Sequence, residues 1–288
     1  MRPGTRPGPF QRMGEERGRG VPRSLGREHG LGREKADAER ALVSDHQALF
    51  AAAASLIPSL KGNLVAAGDV RPPLTDAAGA TSAAVAAALH AHWQQAHPEA
   101  GPAYWLTRSW GMLCWQSIYL AMVAVYRHQA VPALDRLGQG HEAGVVSGFT
   151  LPAEPMIRGE AGVLIKTAGE RLQAHWQGQF TLLGTAQRLR PGFVRPLLAD
   201  DLLAALVRVP DFFGEVSREE VRAHAPLWLE SCGLPSAHLT GWREAGLPRG
   251  EAFPGYVRQR CCLHYKRRDG ELCGNCPRRQ GGARGDEC

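Results

Sequence analysis

The stretch SWGMLCWQSIYLAMVAVY, Ser109 to Tyr126, runs eighteen residues without a formal charge. That length reaches the lower end of what a membrane-spanning helix needs. It also holds Gly111, Gln116, Ser117, two tryptophans and two tyrosines, so it is read as the buried core helix of a folded body. It belongs to the most apolar part of the chain, residues 103 to 130. Trp105, Arg108 and Trp110 in that part are candidates for a substrate pocket, aromatic walls with one charge, against the blander reading of an aromatic-rich core helix. Cys114 reads as a small buried hydrophobe.

Helical periodicity continues on both sides. Between Glu39 and Leu60, Leu42, Leu49, Ala53, Leu56, Ile57 and Leu60 recur at three- and four-residue steps, and Lys61-Gly62-Asn63 ends the pattern. A second helix follows Thr81 and Ser82, either of which can cap it, with Val85, Leu89 and Trp93 along one side. Its His90, His92 and His97 form no His-x3-His pair and are read as surface histidines. From Gly138 to Gly162, glycines and prolines punctuate short apolar runs, which predicts a pair of strands or a loop-rich insertion. Gly138-x-Gly140-x3-Gly144 misses the dinucleotide fingerprint by one residue and follows no clear strand, so no nucleotide site is assigned there. Helices are predicted from Val163 to Leu189, from Leu197 to Val209 after the Pro191-Gly192 break, and after the capping box Ser217 to Glu220, with Pro226 limiting or kinking the last. Cys232 beside Gly233 reads as structural.

The fold class is therefore predominantly α, with a small β-hairpin or strand insertion. The helical body covers residues 39–250, a cysteine-rich loop 251–279 and a frayed tail 280–288, Gly246 to Gly255 serving as connector. Residues 1–38 are rich in Arg, Gly and Pro, a composition too poor in apolar surface to offset chain entropy, and read as a disordered basic arm. Such an arm could touch RNA or a membrane surface; the plainer alternative is a start codon set too early, with the folded chain beginning near Ala36.

The most specific chemistry is in the loop: Arg260-Cys261-Cys262-Leu263-His264-Tyr265, then Lys266 to Leu272, then Cys273-Gly274-Asn275-Cys276-Pro277. Four thiolates in one short segment can close around a metal centre unaided. Cys273-x2-Cys276 has the usual spacing for two sulfurs on one metal. The adjacent Cys261-Cys262 pair does not, because neighbouring side chains of an extended segment point to opposite faces. Both can serve one centre only where the backbone turns sharply. A compact zinc knuckle suits that pair poorly, and a two-iron cluster tolerates it better. An iron-sulfur cluster is the first reading, structural zinc the second, disulfides or unpaired thiols the third. From Arg258 to Arg279 seven Lys/Arg face two acids, a local formal charge of +5. Arg258, Arg260, Lys266, Arg267 and Arg268 would raise a cluster's potential or attract an anionic donor protein.

Cys-Cys-x10-Cys-x2-Cys-Pro, preceded by Arg and followed by basic residues, resembles the cluster motif of ferric siderophore reductases of the FhuF type. Leu106-Thr107-Arg108-Ser109-Trp110 running into Trp115 to Ala121 is similar in style. The resemblance spans roughly residues 42 to 277 and is specific over the last twenty or so. It implies a 2Fe-2S protein that reduces ferric iron held in a siderophore, a hydroxamate among the candidates, with electrons from a ferredoxin or a flavin reductase. The rival classes are a zinc-stabilised nucleic-acid or protein interaction module and an iron-sulfur carrier with another acceptor.

Composition agrees with a globular protein: 44% hydrophobic and 22% charged residues over 288, enough chain for a sizeable core. The net charge of +6 sits largely at the two ends, so nucleic-acid binding by the body is not expected. Seven cysteines, four of them in the metal-like group, point to a reducing compartment, the cytoplasm by default. Cys288 in the tail is not recruited as a ligand.

Overall fold

The computed structural model describes residues 25–69, 72–243 and 255–280. Residues 1–40 and 41–288 form separate contact units. The expected disordered arm falls outside the described residues up to residue 24. From there the expectation is corrected, since helix α1 spans Leu25–Leu56. The run of Arg, Glu, Lys and Ala between residues 33 and 41 is made of good helix formers. The tail beyond residue 280 and most of the connector also lie outside the described residues.

After α1 come strand β1 (Gly62–Val65), strand β2 (Leu74–Asp76), helix α2 (Ser82–Ala96) and helix α3 (Pro102–Val123). Strands β3 (Ala130–Val131), β4 (Gly138–Glu142), β5 (Val145–Pro152) and β6 (Ile157–Arg158) follow, then helices α4 (Ala161–Gly184), α5 (Pro191–Phe213) and α6 (Arg218–Ser231). Helices dominate, as the periodicity predicts. Thr81 caps α2, its hydroxyl accepting from the Ala84 N–H, and Ser217 caps α6 through the Glu220 N–H. Gly101 and Pro102 set the start of α3, with proline where its missing N–H costs nothing. Pro191 does the same for α5, so this helix begins at the residue read as a break.

The predicted hairpin is β4–β5, joined through Ala143 and Gly144, both at positive φ (47° and 79°), as a two-residue turn of this kind requires. The glycines of the near-miss fingerprint belong to this hairpin. It is the centre of a four-stranded sheet ordered β1-β5-β4-β2, in which β1 and β2 run parallel to their neighbours. The sheet is pinned to α3 by side chains: Trp115 Nε1 donates to the Val146 carbonyl at 2.9 Å and Gln116 Nε2 to that of Gly148 at 3.0 Å. β3 and β6 form a separate antiparallel pair.

α3 is the central element. Leu113, Cys114, Ile118, Leu120, Ala121 and Met122 are fully buried or nearly so, which explains the apolar run without lipid. No helix among the described residues is long and apolar enough to cross a membrane. α3 packs along α5, and α4 packs against α6. At that second contact a Cβ on Gly169 would stand 2.4 Å from Ser231 Cβ and 2.9 Å from the Ser231 carbonyl carbon. Gly169→Ala should therefore destabilise by about 1–3 kcal/mol through overpacking, more than the roughly 1 kcal/mol regained by removing a mid-helix glycine. A urea titration followed by circular dichroism would show the lowered midpoint.

Candidate metal centre

α5 carries two adjacent acids inside an apolar run, and they organise the C-terminal segment. Asp200 is fully buried. Its Oδ1 accepts from His238 Nδ1 (2.9 Å), the Tyr256 hydroxyl (2.6 Å) and the Gln259 backbone N–H (2.9 Å), and its Oδ2 from the Arg260 N–H (2.7 Å). A buried carboxylate is tolerable only with such partners. Gln259 and Arg260 immediately precede Cys261, so the carboxylate fixes the backbone from which the cysteine pair departs.

Asp201 takes the next residue back. Its Oδ1 accepts from Arg258 Nη1 at 2.6 Å. Burial would pull the Arg258 pKa down, but Asp201 and Asp200 outweigh it and push it up, so the guanidinium stays charged. Burial and the Asp200 carboxylate likewise push the Tyr256 hydroxyl well above its usual range. The Arg258 N–H donates to the Asn275 carbonyl at 3.0 Å, which brings the Cys273–Cys276 half beside the Cys261–Cys262 half. Arg279 closes the far side, its Nε and Nη2 donating to the carbonyls of Cys273 and Leu272. A further tie comes from Glu99, on the turn between α2 and α3, which accepts the Arg268 N–H at 2.9 Å. That bond holds the Glu99 carboxyl below its usual range.

The sharp bend demanded by the adjacent cysteines is present. Leu263 sits in the left-handed region at φ 61°, a conformation that costs a branched side chain roughly 1 kcal/mol or more. Its N–H donates to Cys261 Sγ at 3.4 Å. The sulfurs then fall two by two. Cys262 and Cys273 are 3.8 Å apart, the spacing of about 3.8 Å that two thiolates take on a tetrahedral metal with 2.3 Å bonds. The Cys261 thiol lies against that of Cys276. Among the described residues no group of three or more His, Cys, Asp and Glu side chains is gathered tightly enough for a single ion.

Cys262 is pulled down to about 5, first by its bond with Cys273 and then by the His264 backbone and Arg258, against burial. Cys273 is pushed up by the same bond, so the pair holds one proton. Burial is the first cause that raises Cys261.

Residues 258–278 match the family model described as the FhuF 2Fe-2S C-terminal domain. The cofactor is a 2Fe-2S cluster, and the donor set fits it: four thiols in two pairs, where each of two irons takes two thiolates. No solved structure matches the chain.

The FhuF-type segment and the body receive the other candidates differently. Arg258 turns inward onto the two aspartates, whereas Arg260, Lys266 and Arg268 are exposed around the segment. Arg267 is partly buried and pairs with Asp269 through two hydrogen bonds. The supposed pocket residues part company. Trp105 donates its Nε1–H to the His97 carbonyl at 2.7 Å. Trp110 lines a cavity of about 260 Å³ with Trp176, Phe180, Leu198 and Cys232. Arg108 instead lies on the side of the cysteine segment, within electrostatic reach of Cys262. His90 is buried, not on the surface as expected, with its Nδ1 3.4 Å from Ser109 Oγ. Cys114 and Cys232 are buried, and burial pushes both thiols up, out of reach of nucleophilic chemistry at neutral pH.

Asp200, Asp201, His238 and Tyr256 were missed by the sequence reading. A signal did exist: two adjacent acids in Pro196-Leu-Leu-Ala-Asp-Asp-Leu-Leu, where a buried carboxylate must find donors elsewhere.

Proposed function

We propose that this chain reduces ferric iron held in a siderophore, in the cytoplasm, by passing one electron from a 2Fe-2S cluster held by Cys261, Cys262, Cys273 and Cys276. The supporting observation is the pairing of the four sulfurs inside the matched segment. The cluster, when bound, supplies one-electron chemistry at a potential set by its surroundings. Siderophores hold Fe(III) through hard oxygen donors and hold the larger, less charged Fe(II) far less tightly, so a single electron releases the metal.

The chain's own residues have three tasks. Asp200 and Asp201 fix the segment against α5, so the electron carrier is held on a rigid helix. Arg258 places a buried positive charge behind Cys262 and favours the more negative, reduced state. Arg260, Lys266 and Arg268 form an exposed basic rim that would attract an acidic electron donor such as a ferredoxin or a flavin reductase. The electron enters from that donor, and the ferric complex receives it.

The test uses protein purified without oxygen and reduced with dithionite, the excess removed. Mixing with a ferric hydroxamate should restore the oxidised visible spectrum and yield one Fe(II) per cluster, trapped by a ferrous chelator. A reduced protein that keeps its electron, with its paramagnetic signal intact, would defeat the assignment of this acceptor. A colourless protein that contains zinc would defeat it altogether.

A further inference from the structure

Arg108 is half-buried on α3, with its guanidinium 4.7 Å above the Trp93 ring. Its Nε is buried and has no hydrogen-bond acceptor. Asp201, an acid whose field it feels, is already bonded to Arg258. The Trp93 indole nitrogen also lacks a partner, and its ring meets that of Tyr104 edge to face. Arg108 Nε and Trp93 Nε1 can only donate a proton, and no group among the described residues accepts one from them. Arg267 adds further positive charge on the same side.

Burying a guanidinium without a counter-ion is expensive, and such groups persist where something anionic meets them. The cysteine segment is tied to the turn before α3 by the Arg268 N–H on Glu99, and Cys262 is, with Tyr104 and Arg267, among the groups whose field Arg108 feels. Four thiolates around two ferric ions and two sulfides carry two net negative charges, and one added electron makes three. We propose that Arg108, reaching in from the helical body, is a second counter-charge of the cluster beside Arg258 and a determinant of its reduction potential. This rests on Cys262 being a ligand. A fixed positive charge stabilises the reduced state more than the oxidised one, and so raises the potential. No proton or co-reactant enters that step; one electron comes from the external donor and leaves to the ferric acceptor.

The position of Arg108 explains why it outranks the exposed basic residues of the segment. Lys266 and Arg268 are exposed, so water and salt screen them. Arg108 is partly dehydrated and held in place by Trp93, where the same charge acts through a lower dielectric.

The experiment is an anaerobic potentiometric titration of the full cluster-loaded chain, with Arg108→Gln, Arg108→Lys and Lys266→Gln as variants. Arg108→Gln should move the midpoint to lower potential by about tenfold in the redox equilibrium, which is about 59 mV for one electron. Arg108→Lys should recover most of that shift. Lys266→Gln should change little, and its small effect should vanish in high salt while that of Arg108→Gln persists. An unchanged midpoint in loaded Arg108→Gln overturns the proposal. If Arg108→Gln loses its cluster, Arg108→Lys decides: a loaded variant near the native potential supports the role of charge, and a cluster-free one overturns it in favour of shape. A normal cluster in Cys262→Ser overturns the ligand reading and this placement together. Cluster loss there, with Arg108→Gln unshifted, defeats the role of Arg108 alone.

Discussion

Asp200→Ala is expected to abolish cluster loading while α2 to α6 remain folded. The carboxylate is fully buried and receives four hydrogen bonds, two of them from the backbone immediately before Cys261. Truncation leaves the Tyr256 hydroxyl, His238 and two N–H groups without their acceptor, at about 1–3 kcal/mol for each that stays buried. It also removes one of the two acids facing Arg258. Breaking a buried charge network of this kind costs about 3–5 kcal/mol in total. The penalty falls on the segment, because the apolar side chains of α5, such as Leu202, Leu203 and Leu206, keep their places in the core. Far-ultraviolet circular dichroism should stay near native while visible absorption falls at least tenfold. Asp201→Ala should do less, since Asp201 is partly exposed and contributes one bond to the segment. Native cluster content in Asp200→Ala would mean that the segment positions itself without α5.

The parts of this architecture that could be read from sequence are those whose causes are local. Thr81 and Ser217 were legible as caps because the cap and its N–H lie within one turn. The β4–β5 hairpin was legible through its punctuation by glycine. β1 and β2 were not, because they are four and three residues long and owe their pairing to partners far along the chain. The anchoring of the cysteine segment was hidden for the same reason, since Asp200 meets Gln259 and Arg260 across 59 and 60 residues.

The separate placing of Arg108 has a geometric cause. Trp105, Arg108 and Trp110 are close in sequence and were grouped as one pocket. On a helix, two residues of separation place side chains on opposite sides, so Arg108 and Trp110 leave α3 toward different surroundings. Trp110 points into the space beside α4 and α5, while Arg108 meets Trp93 of α2 and the field of Cys262. The pattern of cysteines, by contrast, reported its chemistry directly. Its odd feature, the adjacent pair, required a bend, and that bend is present at Leu263.

Cys262→Ser is expected to lose the cluster and nothing else of consequence. Cys262 makes the 3.8 Å pair with Cys273, and its thiol is the one drawn furthest toward the thiolate by Cys273, His264 and Arg258. A serine hydroxyl has a far higher pKa and is a harder donor, poorly matched to an iron-sulfur centre. An iron left with one thiolate of its own does not hold, so visible absorption and the paramagnetic signal of the reduced protein should both fall at least tenfold. The fold should survive, because Cys262 is only partly buried and lies outside the apolar core formed by α2 to α6. Cys114→Ser and Cys232→Ser provide the contrast. Each places a hydroxyl in a buried apolar site, costing about 1–3 kcal/mol of stability, yet the cluster should persist in whatever fraction stays folded. The two classes of cysteine are thus separable by opposite outcomes: spectrum lost with stability kept, or stability lowered with spectrum kept. Were Cys262→Ser to load normally, the adjacent pair would not ligate together, and the strained turn at Leu263 would have no role at the cluster.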